Sequence, residues 1–463
     1  MYKFLPRILS ELAGQSFIGN DQLIDSTEAL VVCTDTRIIG PEHVYLALSG
    51  ERFDGHDFVI AAFKSGATVA IIDKNREQAL YNNLPPGCAL LAVDNTLKFY
   101  QSLGRYVRQQ FKGKVVAVTG SSGKTTTKEM CAAVFGDKCH KSQANENNEI
   151  GVPKTILSMP DDTQYLVLEM GMRGLGQIEE LTLVGLPDIA VITCAGTAHI
   201  ELLGSRENIA KAKSEILKGL ADKDTPVAIV GELSAMLQTE MRQVYAGEIK
   251  DFDSDAVVIN SIDALGTTFS ITGQVEQFFV AAFGEWLVRD AWCAVQAGLA
   301  AGLSAAQVKS GLASWRPVEG RGNSLTAPSG ACVVDESYNA NPDSVRCAVD
   351  AILLAEAYSD KQKVVVLGRM AELGDFEASL HRELGLWLKE KPLSLLVTVG
   401  DVAKLIADSA RGGSFGVESC IDQDEALACI KPHLSDKTLV MVKGSHSTNL
   451  NMLVDKLMTV QDN

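Results

Sequence analysis

At 463 residues the chain is longer than one hydrophobic core supports, and about three domains are expected. Its composition is that of an ordinary globular protein, 46% hydrophobic and 22% charged, with no low-complexity tract. A net charge of −16 argues against non-specific binding to nucleic acid or an anionic membrane, so a polyanionic ligand has to be met by a local cluster of donors.

Ten cysteines are scattered without a C-x-x-C pair, and several sit in apolar runs, the pattern of reduced core residues in a cytoplasmic protein. The opening MYKFLPRILSELAGQ has no apolar run of signal-peptide length. Residues 291–308 are the most apolar long stretch, but Gln296, Ser304 and Gln307 interrupt it; one buried helix is expected there, and no membrane insertion.

Residues 1–85 are expected to form a small N-terminal α/β domain, with strands over 30–33, 44–48 and 68–72 and a helix over 56–64. Two polar turns stand out, Asp35-Thr36-Arg37 and Phe53-Asp54-Gly55-His56, and each reads first as a turn holding its own hydrogen bonds. Pro85-Pro86-Gly87 marks a boundary. A central domain over 86–315 opens with a strand over 89–93 and a helix over 95–111. Its apolar runs at 115–118, 165–168, 189–192 and 227–230 alternate with helical stretches, which predicts a parallel sheet. Ligands of such sheets lie beyond the carboxyl ends of the strands.

The stretch KVVAVTGSSGKTTTKEM, residues 114–130, carries the strongest signal. Gly120 and Gly123 flank Ser121 and Ser122, so the backbone can curl and aim its N–H groups at the start of a helix over 125–135, a cradle for phosphate oxygens. Lys124 adds a mobile positive charge for the outer phosphates, and the hydroxyls of Thr125 and Thr126 follow, the first placed to ligate Mg²⁺. Val118 stands where the usual eight-residue pattern has its first glycine. The plainer reading is a glycine-rich connection with a solvated lysine.

A glycine- and proline-containing segment over 317–330 opens a third domain, 316–463. Apolar runs at 331–334, 363–367, 395–399 and 438–442 again alternate with helices, so a second doubly wound sheet is expected. Its strand ends gather Asp335, Tyr338, Asn339, Asn341, Arg369, Lys443 and His446. Two α/β domains facing one another across a linker would make a cleft able to close.

Single residues are less specific. Glu169 ends a strand and suits a hard cation, or caps a helix. His199 follows the next strand and reads equally as a structural histidine. Lys211 and Lys213, on a helix over 206–220, read as two solvated lysines.

Taken together, Thr119-Gly-Ser-Ser-Gly-Lys-Thr125, Asn145-Glu-Asn-Asn-Glu-Ile-Gly-Val-Pro153, Glu169-Met-Gly171, His199 with Ala210-Lys-Ala-Lys213, Gly320-Arg321, Asp335-Glu-Ser-Tyr-Asn-Ala-Asn-Pro342 and Met370-Ala-Glu-Leu-Gly374 resemble the Mur ligases. The resemblance spans nearly the whole chain. It implies a first domain for a UDP-linked substrate, a central phosphate-loop ATPase domain and a C-terminal Rossmann-like domain. The expected activity is ATP-dependent amide formation in peptidoglycan synthesis, between UDP-N-acetylmuramoyl-tripeptide and D-alanyl-D-alanine, by a monomer.

By the same resemblance, Asp35, Thr36, Arg37, Asp54 and His56 contact the UDP-linked substrate, with Asn147 and Asn148 nearby. Gly120, Ser121, Ser122, Gly123, Lys124, Thr125 and Thr126 bind ATP, together with Asp335 and Asn339. Thr125, Glu169 and His199 ligate Mg²⁺, and Lys213 becomes carbamylated and holds a second Mg²⁺. Arg321 reaches the terminal phosphate. The chain departs from the family where relatives carry G-x-H-N-x-x-N: here stand Trp286, Leu287 and Asp290, and Arg369 and His446 depart likewise. Another ligase of the superfamily, such as a folylpolyglutamate synthetase, and a phosphate-loop regulator without ligase activity are the alternatives.

Overall fold

The short apolar runs become buried strands, because a run buried on both faces has no polar side to turn to water. The computed structural model of the chain describes residues 1–50, 53–220, 226–263 and 265–460. These fall into two compact units, one of residues 1–117, 138–171 and 177–188, the other of residues 118–137, 172–176 and 189–463.

In the first unit, β1 (Lys3–Phe4), β2 (Leu30–Cys33), β3 (His43–Leu46), β4 (Val69–Asp73) and β5 (Ala89–Val93) form a sheet in that order, parallel except for the β1–β2 pair. Its core includes Tyr45, Val59, Ala70, Ile72 and Leu90. The sheet does not stop at Pro85-Pro86-Gly87: β5 pairs with β4 from Val69↔Ala89 to Asp73↔Val93, so a boundary at residue 85 would cut it. The helix Thr96–Gln110 follows, capped by the Asn95 side chain, which accepts from the Lys98 N–H.

The chain passes from the first unit to the second inside β6 (Lys114–Thr119), whose Val115–Val118 core is wholly buried. β7 (Cys139–Lys141) and β8 (Tyr165–Glu169) pair in parallel in the first unit, and β9 (Ile189–Ile192), β10 (Val227–Val230) and β11 (Ile249–Asp251) do so in the second. A small antiparallel sheet of β12 (Val257–Asp263), β13 (Gly266–Ile271) and β14 (Gln277–Val280) comes next. The helix expected over 291–308 is two helices, Glu285–Ala300 and Ala305–Ser314. Gly302, with φ of 95°, breaks them apart, and Ser304 starts the second with a capping box closed by Gln307.

The remaining strands are β15 (Asn323–Thr326), β16 (Cys332–Glu336), β17 (Gln362–Leu367), β18 (Leu395–Val399), β19 (Gly416–Cys420) and β20 (Thr438–Lys443). Their order is β15-β16-β20-β17-β18-β19, antiparallel only at β15. This is a doubly wound α/β sheet around Val333, Val364, Val366, Val397, Val440 and Val442. All ten cysteines are free thiols.

Candidate functional site

In the first unit, both polar turns hold their own hydrogen bonds. Asp35 accepts from the Arg37 backbone N–H at 3.0 Å and from its guanidinium, which holds the carboxyl down at about 2. Thr36 between them is half-buried. His56 is buried, and both ring nitrogens are engaged: Nδ1 lies 2.6 Å from Asp54 Oδ1, and Nε2 accepts from the Asp73 N–H at 2.9 Å. That fixes the proton on Nδ1, and Asp54 is also paired with Arg76.

Glu169 ends β8 with only 2% of its surface exposed. Asn147 Nδ2 donates to its Oε1 at 2.9 Å, and the Asn147 carbonyl accepts from the Gly171 N–H at 2.7 Å. Asn148 Oδ1 accepts from the Gly151 N–H at 2.9 Å at the start of the helix Gly151–Leu157. Asn147 thus holds the Glu169 carboxylate, and Asn148 ties together the turn that leads into that helix.

In the second unit, Gly120 to Gly123 curl from the end of β6 into the helix Lys124–Phe135. Ser121 N–H donates to the Cys194 carbonyl at 3.0 Å, and Ser121 Oγ accepts from Gly196 N–H at 3.0 Å. Thr193, at the end of β9, donates to the Ser122 carbonyl. Lys124 Nζ donates to the Gly120 carbonyl at 2.6 Å, which folds its charge over the loop. Thr125 and Thr126 are buried in the first helical turn. Asp290, on the helix Glu285–Ala300, presses its carboxyl against Gly123. Burial pushes that carboxyl up to about 8, outweighing the pull of Thr127 and Arg289.

The turn after β9 is gripped by residues far along the chain. Thr197 donates through its N–H (2.9 Å) and its hydroxyl (2.8 Å) to Asp343 Oδ2. His199 Nδ1 lies 2.7 Å from Glu372 Oε2, a contact that holds the Glu372 carboxyl below its ordinary range. Asn341 Nδ2 donates to Ser122 Oγ at 3.0 Å. Lys213, read from sequence as solvated, is completely buried in the helix Arg206–Ser214.

At the ends of β16 and β20, Arg321 stacks its guanidinium 4.0 Å over the Tyr338 ring, which meets His446 edge-on at 5.8 Å. Asp335 is buried and accepts from the Gly320 and Ser337 N–H groups, both at 3.0 Å, so it shapes the turn that presents Arg321. Asn339 is exposed, with its carbonyl 3.1 Å from Lys443 Nζ. Arg369, one of the departures, pairs with Glu377 at 2.6 Å. Sequence reasoning gave no role to Asp343 or Glu372, and marked Thr193 only as lying at a strand end beside the loop. Only Glu372 lay in a quoted motif, and Asp343 carried the weaker signal of an acid just inside an Asn-Pro helix start.

Parallel sheets with crossover helices, a glycine loop feeding a helix N-terminus and a second doubly wound sheet with a cationic strand end define a multidomain phosphate-loop α/β protein. Residues 30–95 match the model of the Mur ligase family catalytic domain, 118–297 the Mur ligase middle domain and 320–446 the Mur ligase glutamate ligase domain. The chain is 34% identical over 432 residues to the UDP-N-acetylmuramoyl-tripeptide–D-alanyl-D-alanine ligase of Bacillus subtilis (strain 168), covering 92% of each. It is 30% identical over 461 residues to the Escherichia coli (strain K12) protein of that name, covering 97% of each. The chain belongs to the Mur ligase family. Its fold is similar to a crystal structure of MurF from Acinetobacter baumannii, with a TM-score of 0.87 at 29% identity over 99% of this chain and 100% of that one. It is also similar to the MurF ligase from Thermotoga maritima in complex with ADP, with a TM-score of 0.80 at 25% identity over 93% and 97% of the two chains. No helix among the described residues is long and apolar enough to cross a membrane.

Proposed function

We propose that this chain is a cytoplasmic, monomeric, ATP-dependent ligase that joins the amine of D-alanyl-D-alanine to the free carboxylate of UDP-N-acetylmuramoyl-tripeptide. One observation carries the reading: a Gly-Ser-Ser-Gly-Lys-Thr loop feeding a helix N-terminus sits in a chain that aligns almost end to end with ligases of that name. Three domains, near 1–85, 86–315 and 316–463, would bind the UDP-linked substrate, ATP and the closing lobe's contacts respectively, with β5 carrying the first past residue 85.

A carboxylate resists an amine because its oxygen is a poor leaving group. Attack of that oxygen on the terminal phosphorus of ATP expels ADP and gives an acyl phosphate; the amine then adds to the carbonyl, and phosphate leaves as the amide forms. The backbone N–H groups from Ser122 to Thr126 would bind the phosphates at the helix N-terminus, with Gly120 and Ser121 shaping the loop. Lys124 and Arg321 would offset charge on the transferring group. Asp335 and Asn339 would support the nucleotide, and Asp35, Thr36, Arg37, Asp54, His56, Asn147 and Asn148 would form or brace the UDP-substrate region. Water has to be excluded, since it would hydrolyse the acyl phosphate.

Among the described residues no three His, Cys, Asp or Glu side chains form a metal cage. That suits magnesium, which keeps water and substrate phosphate in its shell and takes few protein ligands. Thr125, Glu169 and His199 would hold it, and a carbamylated Lys213 would hold a second ion. When bound, magnesium neutralises charge on the phosphates. Carbon dioxide adds only to an uncharged amine, and complete burial of Lys213 supports that assignment.

The test is phosphate release from ATP. It should require both UDP-N-acetylmuramoyl-tripeptide and D-alanyl-D-alanine, and turnover indifferent to both would reject the reading. Replacing the acid or amine acceptor by those of related ligases, a folyl substrate among them, separates this assignment from its relatives.

A further inference from the structure

Two non-glycine residues near the phosphate loop occupy the left-handed backbone region, His199 with φ of 64° and Glu372 with φ of 61°, and their side chains meet. That region strains a residue with a side chain, and it persists only where the surroundings over-determine it. A contact to a side chain as exposed as Glu372, 46%, returns little against that strain. The contact therefore does not account for the strain, and surrounding structure imposes it.

That structure is visible on both sides. The Glu372 loop is pinned by the Met370 N–H donating to His381 Nε2 at 3.0 Å and the Ala371 N–H donating to Ser445 Oγ at 2.8 Å. His381 is fully buried, and its Nδ1 lies 2.7 Å from the Glu377 carbonyl, so its tautomer is fixed for the task. Gly374, with φ of 53°, leaves room for Glu201, two residues past His199; a methyl there would lie 2.6 Å from Glu201 Cγ. On the other side, Asp343 holds Thr197 and Ser121 holds Gly196.

A neutral imidazole has one N–H and one lone pair. The Nδ1 of His199 is buried and short of an aligned hydrogen bond, with Glu372 Oε2 at 2.7 Å. We propose that Glu372 is a positioning residue for His199: its carboxylate takes the Nδ1–H, fixes that tautomer and leaves the Nε2 lone pair as the ligand atom for a nucleotide-bound divalent cation. Histidines that bind metals commonly give their second N–H to a carboxylate, and losing that partner costs about 10–100-fold in metal affinity. The proposal rests on the reading of His199 as a magnesium ligand, and its test separates the two.

The full chain labelled with ¹⁵N-histidine reports ring tautomers directly, and His199→Asn identifies the His199 signal among the seven histidines. The wild type should show the Nδ1–H form. Glu372→Ala should shift His199 toward Nε2–H, while Glu372→Gln, whose amide oxygen still accepts, should restore it. Asp343→Asn loosens the same turn without touching the ring and should leave the tautomer alone. Added Mn²⁺ with ADP should broaden the His199 signal, and Glu372→Ala should raise the Mn²⁺ needed about tenfold. An Nε2–H wild type, or an unmoved tautomer in Glu372→Ala, overturns the positioning role. So does an equal shift in Asp343→Asn, which would make the effect one of lobe contact. If the tautomer responds but Mn²⁺ never broadens His199, the ligand reading fails and takes the purpose of Glu372 with it.

Discussion

Gly123 has to be glycine for two separate reasons. Its φ of 80° is costly for any side chain, and a methyl there would lie 2.5 Å from Asp290 Oδ1. The second reason ties the loop to a titration. An ordinary aspartate loses its proton near pH 4, whereas burial holds Asp290 protonated up to about 8. Between those values the folded chain binds a proton that the unfolded chain does not, so stability falls as pH rises, by up to about 1.4 kcal/mol per pH unit from this group. Above pH 8 the carboxylate would also place negative charge beside a loop built for phosphate. The Asp290→Asn variant should be less sensitive on both counts: denaturant midpoints measured from pH 5 to 9 should fall less steeply than in the wild type, and the KM for ATP should rise less above pH 8. Parallel profiles in the two proteins would mean that Asp290 is ionised throughout. The same residue illustrates a limit of the sequence, where it was visible only as a departure from an asparagine.

Among the elements, what could be read beforehand was what a single run of residues decides alone. The buried parallel strands were legible because Val115–Val118 or Leu395–Val397 are apolar on both faces. The sheet of β12, β13 and β14 was not, since Val257–Asp263 is largely exposed and mixes polar with apolar positions. The break at Gly302 was missed because a glycine in an apolar stretch is compatible with a continuing helix, as Gly298 inside Glu285–Ala300 shows. The phosphate loop was legible because glycine, lysine and threonine stand in a fixed local order. Its partners were not: Thr197 and Asp343 are 146 residues apart, and no local pattern announces their contact. The helix Pro342–Leu354 shows how a local signal gains a distant use. Asn341 caps it, accepting from the Ser344 N–H at 2.8 Å while Ser344 Oγ accepts from the Asn341 N–H, and it also reaches Ser122 of the loop. Asn341→Ala should lose about 1 kcal/mol from the cap and also raise the KM for ATP. Ser344→Ala removes the reciprocal bond but keeps the reach to Ser122, so chemical denaturation should detect it while the KM stays put. Equal KM values in both variants and the wild type would reduce Asn341 to a cap.

At the scale of the molecule, the division into two units makes the response to nucleotide uneven. The loop from Gly120 to Thr126, the turn at His199, the buried Lys213 and the Arg321–Tyr338 stack all belong to the second unit. A ligand stabilises what binds it, by about 2.7 kcal/mol when present at a hundred times its Kd. ADP with magnesium at that level should therefore slow amide hydrogen exchange across residues 118–137 and 189–460, most of all where Asp343 grips Thr197 and Asn341 grips Ser122. Residues 1–110, whose five-stranded sheet has its own core, should keep their unliganded rates, while the segment that carries Glu169 should slow only when magnesium accompanies ADP. UDP should act in the opposite sense, slowing exchange around Asp35–Arg37 and Asp54–His56 and leaving the loop unchanged. Uniform slowing over the whole chain by ADP alone would show that the first unit opens only together with the second. In that case the pinned turns around His199 stabilise the entire molecule as well as the lobe that carries them.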